Sequence, residues 1–214
     1  MKYKGVIFDL DGTLLNTLHD LYLSTNRALE KMNMPRRSED EVCRFVGNGV
    51  EMLIKRALGE EHADMLPETL EIFKKDYSLH SEDNTKPYPG ITELLKKLNA
   101  NGVKCAIVSN KFDGAVKKLS EKYFGNLILC AVGESENVRK KPAPDSVFKV
   151  MDNLGLDKSS CVYVGDSDVD ILTARNAGIP CISVTWGFRK REFLVKNGAA
   201  VFAGSAEELW ERLK

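Results

Sequence analysis

From Ile91 onward, short apolar runs alternate with amphipathic stretches. VKCAIVSN is strand-like and leads into the helical pattern AVKKLSEKYF; LILCAV leads, across a polar loop, into PDSVFKVMDNLG. CVYVGD leads into VDILTARNAG, and CISVTW follows. A last apolar piece, AAVFAG, precedes SAEELWERLK, where Ser205 followed three residues later by Glu208 predicts a capping box. This rhythm predicts parallel βαβ units with right-handed crossovers. KGVIF, near the start, is a continuous apolar run and predicts a strand of the same sheet covered on both faces.

The stretch from about Asn16 to Asp83 has a different period. Leu14, Leu15, Leu18, Leu21, Tyr22, Leu29 and Met32 recur at helical spacing, as do Val50, Leu53, Ile54, Ala57 and Leu58, then Leu66, Leu70, Ile72 and Phe73. SEDNTKPYPG marks the return, with Pro87, Pro89 and Gly90 punctuating the chain before a helix. The expected organisation is a Rossmann-like α/β core of residues 1–15 and 86–214, with a helical cap of residues 16–85 inserted after the first strand. Two connections between a bundle and a sheet make a hinge.

Composition narrows the function classes. Hydrophobic residues make up 43% of the 214, enough for a sizeable core. The 31 basic and 31 acidic residues balance, which removes any general attraction to nucleic acid or an anionic membrane. The longest apolar runs, such as Val103 to Val108 broken by Lys104, are too short to span a bilayer, and MKYKGVIFDL lacks the features of a signal peptide. Cys43, Cys105, Cys130, Cys161 and Cys181 form no CxxC pair, and His19, His62 and His80 have no ligand spacing. Reduced thiols and a cytoplasmic setting are expected, with no thiolate or imidazole metal site. A monomer or weak homodimer is expected.

In parallel α/β sheets, ligands bind beyond the carboxyl ends of the strands. Asp9 and Asp11 end the first strand within FDLDGTL, where alternation sets residues two apart on the same side. Ser109, Asn110 and Lys111 end the next strand; Lys140 and Lys141 precede Pro142; Asp166, Asp168 and Asp170 follow CVYVG. Bare anions so clustered are costly, and Mg²⁺, a hard cation preferring oxygen ligands, offsets them. Lysine, hydroxyl and amide donors beside such a cation suit a phosphoryl group. An Asp facing its phosphorus acts as nucleophile, and a second carboxylate as acid and base. Taken singly, each element has a plainer reading: Asp11-Gly12 as a hairpin turn, Ser109-Asn110 as a helix cap, and Asp168 and Asp170 as helix-start acids.

The ordered set FDLDGTL, SN, KPAP and VGDSDVD resembles the haloacid dehalogenase superfamily of phosphohydrolases over the whole chain. The resemblance implies Asp9 as nucleophile, Asp11 as general acid/base, and Thr13, Ser109, Asn110 and Lys141 as phosphate or substrate contacts. It implies Mg²⁺ held by Asp9, the main-chain carbonyl of Asp11, and Asp166. Asp170 stands where the family keeps a second acid, either on the metal through water or holding Lys141. The expected partner is a small phosphorylated metabolite.

CRFVGNGVEMLIKRAL resembles the cap segment of phosphoglycolate phosphatase-like members, with Gly47 and Gly49 turning near the substrate; 2-phosphoglycolate is the expected substrate. TWGFR, around Trp186, also resembles that group and reads as packing and loop structure. Asp11 argues against the metal-free dehalogenases, and Thr13 with VGNG against a β-phosphoglucomutase-like phosphotransferase. A non-enzymatic receiver-like phosphoacceptor would carry no helical insertion after its first strand. Asn16 departs from the usual acid at the junction, where it bears on capping or hinge geometry.

Overall fold

The computed structural model describes residues 1–135 and 138–214. Six strands form one parallel sheet: β1 (Gly5–Phe8), β4 (Lys104–Phe112), β5 (Cys130–Glu134), β6 (Cys161–Gly165), β7 (Cys181–Val184) and β8 (Phe202–Ala203), in the order β5-β4-β1-β6-β7-β8. All five adjacent pairings are parallel, and β1 lies between β4 and β6. The first crossover leaves β1 on one side and β6 returns on the other, so strand order reverses about β1.

Alternation along these strands splits the core in two. Val6, Phe8, Cys105, Ile107, Val162 and Val164 face one layer, with apolar residues of α5 (Ile91–Ala100), α6 (Asp113–Phe124) and α10 (Ala206–Leu213). Ile7, Ala106, Val108, Cys161 and Tyr163 face the other, against α7 (Asp145–Leu154) and α8 (Asp168–Ala177). Each fully buried aliphatic or Phe side chain contributes about 1.5–3 kcal/mol, so these two layers dominate the sheet's stability. The periphery is leaner than AAVFAG suggested, since β8 has only two residues. At Ser205 the hydroxyl accepts from Glu208 N–H, but the Glu208 carboxylate takes Gly204 N–H, so only half of the expected capping box forms.

Helices α1 (Leu18–Lys31), α2 (Glu39–Phe45), α3 (Val50–Leu58) and α4 (Leu66–His80) surround their own core of Leu21, Leu29, Val42, Leu53, Ile54, Phe73 and Tyr77. They join the sheet through a short antiparallel ribbon, β2 (Leu15–Asn16) with β3 (Lys86–Pro87). Asp11-Gly12 therefore turns the chain, but into a strand that pairs with β3 and not into a hairpin with β1. Asn16 caps locally: its Oδ1 accepts from Leu18 N–H at 3.4 Å.

Beside the ribbon, fully buried Asp20 accepts from Asn84 N–H and Nδ2 and from Thr85 N–H and Oγ1, at 2.8–3.0 Å. Asp20→Ala strips these donors of their acceptor, and the expected loss is about 2–3 kcal/mol in urea unfolding. A loss below about 0.5 kcal/mol, the size of an ordinary surface change, would show that water replaces the carboxylate freely.

Candidate active site

The carboxyl ends of β1, β4 and β6 meet below α1–α3 at one cleft. Its lining includes Asp9, Asp11, Ser109, Asn110, Lys111, Lys141 and Asp166 from the core, and Leu21, Val46, Gly47, Gly49, Val50 and Leu53 from the helical unit. Leu10 is fully buried in the sheet core while its neighbours Asp9 and Asp11 face the cleft, as strand alternation requires. Asp9 N–H still donates to Val164 O at 2.9 Å, which carries the β1–β6 pairing one residue into the site.

Lys141 is the hub. Its buried Nζ donates to Asp9 Oδ1 at 2.9 Å, Asp170 Oδ1 at 2.8 Å and Tyr163 Oη at 3.0 Å. Asn110 sets the lysine's backbone: its Oδ1 accepts from Lys141 N–H at 2.8 Å, and its Nδ2 donates to Lys141 O and Gly47 O. Asn110 is thus a clasp between β4, the Lys141 loop and the helical unit. Ser109 Oγ accepts from Lys111 N–H at 3.3 Å, leaving its O–H to donate toward the cleft. The cap reading of Ser109 does not hold, because α6 starts at Asp113 with no side-chain cap.

Asp170 is fully engaged by protein. Its Oδ2 accepts from Ser167 N–H and Oγ in a complete capping box, and its Oδ1 takes Lys141. Direct contact with Lys141 is one of the two roles the resemblance allows for Asp170. Asp168 begins α8 and stays out of the cleft lining. Thr13 is fully buried and aims Oγ1 at Asp166 Oδ1, 3.3 Å away, rather than into the cleft. It orients a carboxylate where a phosphate contact was expected. Gly12 and Gly187 flank the same carboxylate so closely that a Cβ on either would lie 2.4 Å from Asp166 Oδ2.

The electrostatics suit a bound cation. Burial pushes the Asp9 carboxyl up to about 7, against the pull of Lys141 and with a further push from Asp170. Burial also holds Asp166 well above the usual carboxylate range, and Asp170 and Asp9 add to the rise. Burial alone would lower Lys141, but Asp170 and Asp9 outweigh it and hold its ammonium charged. Four carboxylates (Asp9, Asp11, Asp166, Asp170) face the ammonium groups of Lys111 and Lys141, and oxygens of Asp9, Asp166 and Asp170 lie within 4.8 Å of one another. Even with the Arg189 guanidinium counted, these carboxylates outnumber the cations, and hard, oxygen-only donors with net negative charge fit a divalent cation such as Mg²⁺.

Four contributors escaped the sequence reading as site residues. Lys111 Nζ reaches Asp11 Oδ1 at 3.0 Å, and Thr17 Oγ1 donates to the same oxygen at 2.6 Å. Phe188 N–H donates to Asp166 Oδ2 at 2.6 Å, and Arg189 lines the cleft. A signal for Lys111 existed: it stands two residues after Ser109 at a strand end, on the same side by alternation. TWGFR does pack, with Trp186 Nε1 donating to Thr13 O, yet it also supplies two groups to the site. Gly47 and Gly49 sit at the cleft with φ of 123° and 88°.

A parallel α/β sheet with buried acids and lysines on its carboxyl rim, roofed by helices inserted after the first strand, defines a capped Rossmann-like enzyme. The family model for haloacid dehalogenase-like hydrolases matches residues 6–184, and the chain belongs to that family. The phosphoglycolate phosphatase of Yersinia pseudotuberculosis is 34% identical over 199 residues, 91% of this chain and 86% of that protein. That of Aquifex aeolicus is 33% identical over 189 residues, 87% of each chain. A solved structure from Lactobacillus delbrueckii subsp. bulgaricus has a TM-score of 0.94 and 38% identity, covering 100% of this chain and 99% of the other. A predicted phosphoglycolate phosphatase of Haemophilus somnus has a TM-score of 0.92 at 27% identity, again over 100% and 99%. Among the described residues no helix is long and apolar enough to cross a membrane.

Proposed function

We propose that this chain is a Mg²⁺-dependent phosphomonoesterase whose substrate is 2-phosphoglycolate, working through an aspartyl-phosphate on Asp9. The observation that carries the reading is the state of Asp9. Lys141 occupies its Oδ1, while Oδ2 has no protein donor among the described residues and the side chain lines the cleft. Oδ2 attacks phosphorus and the bond to the leaving oxygen breaks. Asp11, oriented by Lys111 and Thr17, gives that oxygen its proton. In the second half Asp11 takes a proton from water, whose oxygen attacks phosphorus, and Asp9 is released as carboxylate with inorganic phosphate.

Asp9, Asp166 and the main-chain carbonyl of Asp11 would hold the Mg²⁺, which supplies positive charge against the phosphoryl oxygens. Ser109 donates its hydroxyl to the same group. Residues 16–85 serve as a cap: closing over the cleft, Leu21, Val46, Val50 and Leu53 exclude water from the reacting atoms. The names of the relatives support the choice of substrate.

The test is kcat/KM across small phosphoesters with Mg²⁺ and after chelation. 2-Phosphoglycolate is expected to lead, with turnover lost on chelation and restored by Mg²⁺. Glucose-phosphate isomerisation in place of hydrolysis would overturn the reading, as would phosphorylation without turnover.

A further inference from the structure

Arg189 is the cleft-lining cation that the proposed chemistry leaves unused. Lys141 is committed to Asp9 and Asp170, and Lys111 to Asp11. Among the described residues Arg189 makes no salt bridge, although its charge acts on Asp166 from a distance. It is held instead by main-chain carbonyls at the end of α2 and just beyond it. Nη1 donates to Cys43 O at 2.7 Å, and Nη2 donates to Val46 O at 2.5 Å and Arg44 O at 3.4 Å. Those bonds fix the guanidinium at the seam between core and helical unit without neutralising it. A guanidinium has five N–H donors, so two remain without an acceptor among the described residues.

The surroundings make that charge selective. Leu21, Val46, Val50 and Leu53 give the roof of the cleft an apolar face. A leaving group that carries an anion would be stranded against such a face unless a cation met it. Arg189 stands at that seam, and its neighbour Phe188 donates its N–H to Asp166 Oδ2.

We infer that Arg189 determines specificity by receiving a carboxylate on the substrate's leaving group, so the enzyme selects phosphomonoesters with a second anion close to the phosphate. The inference rests on the substrate reading above and assigns its second charge to one residue. The carbonyl clamp has a further role here. It holds the guanidinium in place before substrate arrives, which lowers the ordering cost of the ion pair.

The experiment compares 2-phosphoglycolate with ethyl phosphate, which replaces the carboxylate by a methyl group, in wild type, Arg189→Gln and Arg189→Lys. Wild type is expected to favour 2-phosphoglycolate in kcat/KM, and Arg189→Gln to reduce that ratio roughly 10- to 100-fold, mostly through KM, the scale of a charged hydrogen bond. Arg189→Lys, which keeps the charge, is expected to retain part of the preference. The ratio cancels any general loss from a loosened roof, because both substrates suffer it. An equal fall for both substrates in Arg189→Gln would overturn the inference and leave Arg189 as a structural tie. Absence of a wild-type preference would overturn the phosphoglycolate reading itself.

Discussion

Asp9→Asn abolishes turnover and leaves the fold standing. The amide matches the carboxylate in shape but offers no anionic oxygen to phosphorus, and loss of a nucleophile of this kind costs on the order of 10⁵-fold or more in kcat. Lys141 keeps Asp170 and Tyr163, so the hub persists. Stability moves the other way with pH. Burial raises the folded-state value of Asp9 to about 7, above its value in the unfolded chain, so the folded protein loses stability as that carboxyl ionises. In metal-free buffer the loss develops as pH rises from the ordinary carboxylate range to about 7. The Asn variant lacks it, so its thermal midpoint relative to wild type should climb across that window. Activity assays and midpoints at several pH values decide the matter: appreciable Mg²⁺-dependent turnover removes Asp9 from the nucleophile role, and parallel pH profiles remove the burial argument.

Lys141→Met carries the largest expected cost in stability. Its ammonium is shared by two buried carboxylates and a buried phenol, and the fully buried Asp170 and Tyr163 are left without it away from the cleft. Breaking a buried charge pair from one side costs about 3–5 kcal/mol, because the partner stays buried and unpaired. Urea unfolding at neutral pH should show that loss together with inactivity. Adding Asp170→Asn to Lys141→Met should recover part of the stability and none of the activity, since it removes one stranded charge. A single-variant loss below about 1 kcal/mol, typical of an exposed pair, would show that the hub is solvated.

What could be read in advance followed from periodicity and strand ends. Asp9 and Asp166 were legible because each closes or follows an apolar run in a parallel sheet, where side chains at the carboxyl rim have one place to go. Lys141, by contrast, was singled out from Lys140 only by the resemblance of KPAP to a family motif. Thr13 was placed near the site, but its target was not: whether a buried hydroxyl meets phosphate or Asp166 depends on the turn at Gly12, which no local pattern encodes. Phe188 contributes a backbone N–H, and a main-chain donor has no signature in the side chain that happens to share its residue. Arg189 and Thr17 act across the junction between two folding units, over sequence separations that neither helical nor strand period spans. The resemblance makes Asn110 a phosphate or substrate contact; its side-chain amide is a clasp on the Lys141 backbone and Gly47 O, an arrangement that no local pattern encodes.

The β2–β3 ribbon has a consequence for how such chains diversify. Leu15 pairs with Pro87 and Asn16 with Lys86, so the chain leaves and re-enters the sheet domain through adjacent residues. To the core, the intervening helices amount to a decoration on a closed loop, and their number and length leave the strand order untouched. Insertions are tolerated where the chain ends they connect already lie together. The sheet domain with its buried acids and the helical unit above them can therefore vary as separate modules, with one two-residue ribbon as the splice.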